Sequence, residues 1–317
     1  MLAAPECFDV RMGNGSRPAN AVADLAARVF GTVMLGLLRL SSMKAGVSFY
    51  WHGIGDPQDD PRTSLAPQMG TDLFRDQIRY LSRHYDLVPA SDLPLAATRR
   101  RRFARFPLAL TFDDDLAAHR ESAQPILDEA GAVATFFLCG ATLHGPRAFW
   151  WQRLSGAPTA QETAVRVKAM TRGERRAFEE QLEREAGAPS PDDGLRASEV
   201  GALAAAGHEI GFHTLRHDPL PSLDDEELAN ALAEGREALA AAAGRALRTV
   251  AYPHGDYDSR TPAAAREAGF ELGFSTAQRA LRAGDDPHEL GRLEAPFDSV
   301  GHLAFRAARA LAARARS

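Results

Sequence analysis

After residue 45 the chain alternates between short apolar runs and longer segments of helical periodicity. The runs "GVSFYWH" (46–52), "PLALTF" (107–112), "VATFFLCG" (133–140), "HEIGFH" (208–213), "RTVAYP" (248–253) and "LGFST" (272–276) predict strands. Between them, "TDLFRDQIRYLSRHY" (71–85), "LAAHRESAQPILDEAG" (116–131), "ASEVGALAAAG" (197–207), "LDDEELANALAEGREALAAAAG" (223–244) and "DSRTPAAAREAGF" (258–270) predict helices. Thr71 or Asp72 is the expected cap of the first of these and Ser222 that of the fourth, while Gly131 and Gly207 end the second and third. Apolar strands alternating with helices predict an α/β fold, a parallel sheet covered by helices, as a barrel or an open sheet.

Two segments stand outside this alternation. Residues 141–196 form a long excursion that opens with "FWWQRL" (149–154) and continues as charged helix, which predicts a helical insertion. It follows the carboxyl end of a strand, so its first part should lie near the mouth of the fold. Trp150 or Trp151 is then placed to offer an open ring face to a ligand, or else both tryptophans anchor the insertion. At the other end, the apolar run "VFGTVMLGLL" (29–38) is bracketed by Arg28 and Arg39. It lies far from Met1, unlike a secretory signal, and at about ten residues it falls short of a bilayer span. The spacing from Ala21 to Leu40 predicts an amphipathic helix packed on the body, with a membrane surface as the alternative. Residues 1–20, rich in Gly, Pro, Asn and Ser, are expected to be disordered. The expected organisation is a 1–44 extension followed by one domain over 45–317. The expected location is cytoplasmic, without a transmembrane span, leaving peripheral membrane contact open.

Composition changes little. The 317 residues are 45% hydrophobic and 25% charged with a net charge of −5, ordinary for a soluble protein and no support for nucleic-acid binding. Cys7 and Cys139 provide neither a disulfide framework nor a CxxC metal site.

Chemistry concentrates at the carboxyl ends of predicted strands, where α/β folds carry their sites. Three such ends bear unusual residues: "DDD" (113–115), "HTLRH" (213–217) and "YPHGDYD" (252–258). Three adjacent carboxylates repel, so something must compensate them: water, a helix N-terminus or a cation. His213 and His217, four apart, can join one aspartate as a three-ligand site for a divalent ion. A second aspartate can then act as general base toward water activated by the cation. The competing readings are helix capping, for Asp115 above all, and histidines at a surface or in packing. His52, ending the first strand, reaches the mouth or fills the core. Arg99 to Arg102 lie at the amino end of their strand, six or so residues of about 3.3 Å from the aspartates, and read as a solvated loop.

The strings "LTFDDDL", "GHEIGFHTLRH" and "AYPHGDYD", in this order, resemble the three leading motifs of the polysaccharide deacetylases, the nodulation-type carbohydrate esterase family four. The similarity runs from about Phe49 to about Phe305 and includes "ATFFL" (134–138) and "AAAGHEIG" (204–211). The resemblance implies a distorted (β/α) barrel and a divalent metal ion, usually zinc. It implies a hydrolase that removes an acetyl or formyl group from the nitrogen of an amino sugar in a carbohydrate substrate. It assigns the general base to Asp113 and the metal to Asp114, His213 and His217, with Thr214 holding the loop. It assigns substrate binding to the Tyr252–Pro253–His254–Gly255 turn, where the backbone N–H at position 254 helps to bind the oxyanion. Three departures stand out. Asp115 replaces a usual glycine, and Ala251 stands where many members carry an arginine that orients the base. Arg292, in "ELGRLEAP", resembles an arginine of one branch of the family and is the expected substitute. The late histidine that serves many members as general acid lacks a counterpart, because His302 opens the C-terminal helix and reads as a surface residue; His254 is the candidate acid. The alternatives are a metallopeptidase, which would want Glu where Thr214 stands, an iron oxygenase, and a carbohydrate-binding protein without catalysis.

Overall fold

The computed structural model describes residues 21–55, 65, 68–154, 159–186 and 194–313; Cys7 and the expectation for residues 1–20 lie outside them. Helix α1 (Ala21–Arg39) precedes β1 (Ala45–Trp51), α2 (Thr71–His84), β2 (Asp86–Leu87), α3 (Leu93–Arg99) and β3 (Pro107–Asp113). Next come α4 (Gln124–Glu129) and β4 (Thr135–Leu138), then the helices α5 (Trp150–Leu154), α6 (Ala160–Lys168) and α7 (Arg172–Ala186) of the insertion. The remainder is α8 (Ala197–Ala205), β5 (Glu209–Phe212), α9 (Asp225–Ala233), α10 (Arg236–Ala243), β6 (Thr249–Ala251), α11 (Thr261–Glu267), β7 (Leu272–Phe274), β8 (Leu281–Arg282), β9 (Leu293–Glu294) and α12 (Val300–Ala312).

The sheet runs β7-β6-β5-β4-β3-β1-β8, with β2 also beside β3 and β9 also beside β1. All of these pairs are parallel except β1 with β8. It curls into an open α/β barrel. Every residue of β1 and β3 is buried, which is why those strands read as continuous apolar runs and do not alternate. Between sheet and helices, Phe112 stacks on Trp51 and Phe136, with ring centroids 5.6 and 4.9 Å away.

Several local expectations are corrected. No side chain caps α2, whose N-cap is Gly70. The predicted helix over 223–244 is two helices, because Gly235 adopts φ +80° between α9 and α10. Its cap is Asp224, which accepts the Glu227 backbone N–H at 2.8 Å while Glu227 reaches back to the Asp224 N–H, a capping box that outcompetes Ser222. The predicted helix over 116–131 begins as a π-helical turn, His119–Ala123, before α4. The basic run is not simply a solvated loop. Arg100 is buried, lies 3.6 Å over the Phe106 ring, and donates to the carbonyls of Ser41, Met43 and Ala104. Arg102 donates to the Leu40 carbonyl at 2.7 Å. These guanidiniums satisfy carbonyls at and beyond the end of α1, which have no partner within the helix.

Helix α1 is the helix expected over 21–40, and it extends beyond the ten-residue apolar run at both ends. At 19 residues it is, by length and composition alone, long enough to cross a membrane. It packs on α12 through Gly31, where an added Cβ would come within 2.7 Å of the Ala304 carbonyl carbon. Leu35 is buried in the same body.

Candidate active site

Strand register puts the three motifs on one rim. Asp113 lies opposite Phe137, Leu138 opposite Phe212, and Phe212 opposite Val250, so β3, β4, β5 and β6 end at nearly one level. The residues that follow these ends converge. Among the described residues five non-glycine positions have positive φ, and four of them are Asp114 (+73°), Thr214 (+58°), His217 (+53°) and His254 (+60°). Such conformations cost on the order of 1–3 kcal/mol each and persist where surrounding contacts impose them.

Asp114, His213 and His217 are buried, and one ligand atom from each lies within 4.8 Å of the others. Asp114 Oδ1 is 3.8 Å from His213 Nε2 and 3.5 Å from His217 Nε2, too far for hydrogen bonds. That oxygen is buried without a hydrogen-bond partner. Burial, then Asp113 and Asp115, push the Asp114 carboxyl well above its ordinary range. His213 Nδ1 sits 2.9 Å from the Ala251 carbonyl, which fixes the proton there and turns Nε2 toward Asp114. Burial lowers the His213 pKa to about 4, so its imidazole is neutral at pH 7. Two imidazoles facing a buried carboxyl oxygen that has no hydrogen-bond partner make a donor set that fits a divalent cation.

Asp113 has a different partner. Fully buried Arg292 donates to both its oxygens, at 2.6 and 2.8 Å, and also to Thr111 Oγ1 and the Ser275 carbonyl. The guanidinium lies 5.1 Å from the Tyr50 ring and 5.3 Å from that of Phe137. Burial is the largest influence and would raise the Asp113 pKa, but the Arg292 charge and hydrogen bonds, with His213 and His52, together outweigh it and the value falls to about 2. His52 extends from β1 toward the same carboxylate: burial lowers its pKa, and the Asp113 charge opposes that shift.

The third aspartate does not cap a helix. Asp115 accepts the backbone N–H groups of Gly140, Ala141 and Thr142 at 3.0, 2.7 and 3.3 Å, and so ties the end of β3 to the loop after β4. The chain needs no positive φ at Asp115, because the left-handed residue of the turn is Asp114. Asp115→Ala leaves three backbone donors without their acceptor, the Thr142 N–H buried and those of Gly140 and Ala141 partly so, and the buried one alone costs about 1–3 kcal/mol. The expected result is a larger fall in thermal midpoint than a lost cap gives, measurable by calorimetry.

His119, read from the sequence only as a helix residue, supports this turn. Its Nε2 is 2.9 Å from the Asp113 carbonyl and 3.0 Å from that of Asp114. Burial brings its pKa to about 4, so the neutral ring donates from Nε2 to the left-handed turn. The available signal was a histidine six residues after the first aspartate on the inward face of the predicted helix.

Other assignments are corrected. The Tyr252 side chain is fully buried and donates to the His288 carbonyl at 2.7 Å, so it supports the turn from inside and presents nothing to a substrate; Pro253 is buried as well. His254 and Gly255 are only partly buried, and the His254 ring lies 4.5 Å from that of His217. Gly255 is held at φ +74°, and a Cβ there would meet Thr276 Oγ1 at 1.9 Å. Trp150 is buried in the cluster anchoring the insertion and offers no open ring face. Its neighbour Trp151 stacks on Phe149 and packs 4.8 Å from the His217 ring, so the insertion does reach the rim. Arg175 of α7 holds Asp218, next to His217, at 3.2 Å. Thr214 does not tie its loop by its hydroxyl, which is buried without a partner; its carbonyl accepts the His217 N–H. His302 is exposed and pairs with Asp298 at 2.9 Å.

Solved structures share this architecture. The deacetylase PplD of Streptococcus pyogenes, in complex with acetate, aligns with a TM-score of 0.61 at 18% identity over 83% of this chain and 98% of that one. IcaB from Ammonifex degensii aligns with a TM-score of 0.57 at 20% identity, covering 82% and 97%. A de-N-acetylase from Aggregatibacter actinomycetemcomitans gives 0.56 at 14%, covering 80% and 96%. At these identities the likeness is one of fold. No curated protein matches the sequence significantly. The family model described as polysaccharide deacetylase matches residues 100–273, more than half of the chain, from the loop before β3 to β7. That stretch carries all three rim motifs, and this chain belongs to the polysaccharide deacetylase family.

Proposed function

We propose that this protein is a metal-dependent hydrolase that removes an N-acyl group, acetyl or formyl, from an amino sugar in a glycan or glycoconjugate. The observation that carries the reading is the meeting of Asp114, His213 and His217 beside an Asp113 carboxylate held by Arg292. Asp114, His213 and His217 would hold the cation, with zinc the expected ion. Held there, a divalent ion would supply Lewis-acid polarisation of the acyl carbonyl and a lowered pKa for water at the site.

The residues of the chain then have separate tasks. Asp113 takes the proton from the attacking water. A carboxylate with a pKa of about 2 is a weak base by itself, which is why an acidified water is needed. Arg292 keeps Asp113 ionised and fixes both its oxygens. The backbone N–H of His254 is assigned to the developing oxyanion, and its imidazole, beside His217, to protonation of the leaving amine.

Acetate and formate release should be screened across N-acylated glycans, before and after chelation and re-addition of zinc. Release that chelation leaves untouched would remove the metal from the reading. Arg292→Met deprives a buried carboxylate of its partner, an expected loss of about 3–5 kcal/mol. Without the guanidinium the Asp113 pKa rises, so the acidic limb of the pH–rate profile should move to higher pH. Arg292→Lys keeps a charge but loses the fork and should fall between the two. An unmoved acidic limb in both variants would dissociate Arg292 from the base.

A further inference from the structure

The outward face of α1 is apolar from end to end. Val22, Leu25, Val29, Val33, Leu37 and Leu40 follow one another at steps of three and four residues, and each is at least half exposed, Val22 at 75%. Three of the polar side chains of the helix turn to the body instead. Asp24 accepts the Gly301 N–H, Thr32 bonds Tyr80, and Arg39 donates to the His84 carbonyl. This is the reverse of a helix whose free face meets water. Phe103, 63% exposed, lies just past the stripe, where its backbone N–H donates to the Arg39 carbonyl.

The stripe has a basic border. Arg28, Arg79 and Arg83 line the groove that opens between α1 and α2 beside Leu25, Val29 and Val33. Asp76, the acidic residue of that groove, is already paired with Arg79 at 2.8 Å. Arg101 and Arg102 precede Phe103 at the other end.

We propose that α1 docks this protein on an anionic lipid bilayer, lying in the interface with its stripe in the acyl boundary and the bordering arginines at the lipid phosphates. An apolar face with arginines along its edge is the composition of an interfacial helix, and each basic residue near such a surface contributes about 1 kcal/mol. A second copy of the chain is a poorer occupant, because pairing two such stripes brings two basic borders together. A crossing helix is poorer too, since it would strip Gly31 and Leu35 from α12 and turn Asp24, Arg28 and Thr32 toward lipid. The stripe shares no residue with the rim.

The test is sedimentation of the full chain with vesicles of phosphatidylcholine, alone or mixed with phosphatidylglycerol. Binding should strengthen by about tenfold or more with the anionic lipid and weaken as salt rises. The double variant Val29→Asp, Val33→Asp should lose that binding by a similar factor, with its thermal midpoint and its hydrolysis of a soluble substrate unchanged. Arg79→Ala with Arg83→Ala should lose chiefly the preference for anionic lipid. Four results would each overturn the proposal: no vesicle binding by the unaltered chain, equal binding by the aspartate variant, a solution dimer that the aspartate variant dissociates, or retention on membranes through alkaline carbonate, which marks a crossing helix. Vesicle binding is read without any enzymatic assay, so its failure is separate from a failure of the proposed activity.

Discussion

Asp113→Asn is expected to lower turnover by about 10²–10⁴ with metal retained, and to lower the thermal midpoint, because the buried Arg292 guanidinium loses its counter-charge. The asparagine amide has the same shape, but only its oxygen can accept from Arg292, its NH2 faces the other guanidinium N–H, and it cannot take a proton. The separation of tasks between neighbouring aspartates rests on their environments. Asp113 is balanced by a guanidinium at 2.6 Å, whereas Asp114 Oδ1 has no hydrogen-bond partner and faces two imidazoles. Metal analysis, thermal melting and turnover on Asp113→Asn and Asp115→Ala decide the matter. Loss of metal in Asp113→Asn, with metal retained in Asp114→Asn, would show that the two aspartates have been assigned in the wrong order.

His213→Ala and Asp114→Asn should each empty the metal site and abolish activity together. Removing the imidazole also leaves the Ala251 carbonyl without its donor, so His213→Ala should be the less stable of the two. Chelation of the unaltered protein gives the same loss of activity without that second effect. If free ion at 100 times its Kd stabilises the fold by about 2.7 kcal/mol, chelation should lower the thermal midpoint by several degrees, and zinc should restore it. Full metal occupancy in His213→Ala would remove that residue from the ligand set. A thermal midpoint indifferent to chelation would speak against a resident ion.

The strands β1, β3, β4, β5, β6 and β7 were readable because a sheet covered on both faces leaves an unbroken apolar trace, as in "PLALTF" and "VATFFL". The strands β2, β8 and β9 were not, since two-residue pairings carry no pattern. The rim motifs were readable because each follows an apolar run, and in parallel α/β sheets strand ends share a face. Arg292 came to attention through its likeness to one branch of the family; its bond to Asp113 joins positions 179 residues apart.

What composition and periodicity determined alone was the parallel α/β class, the succession of the longer strands and the main helices after residue 45, and the three strand ends where chemistry gathers. These follow from local pattern, in which each residue reports the burial of its own strand or helix. Tertiary structure decided where side chains point and what they meet. It turned Tyr252 inward to His288, closed Trp150 into the insertion, and spent Asp115 on three backbone donors of the next loop. It gave His119 the carbonyls of a left-handed turn and set the apolar stripe of α1 outward. Each of these depends on groups brought near by register and packing, and a local pattern holds no record of a neighbour distant in the chain.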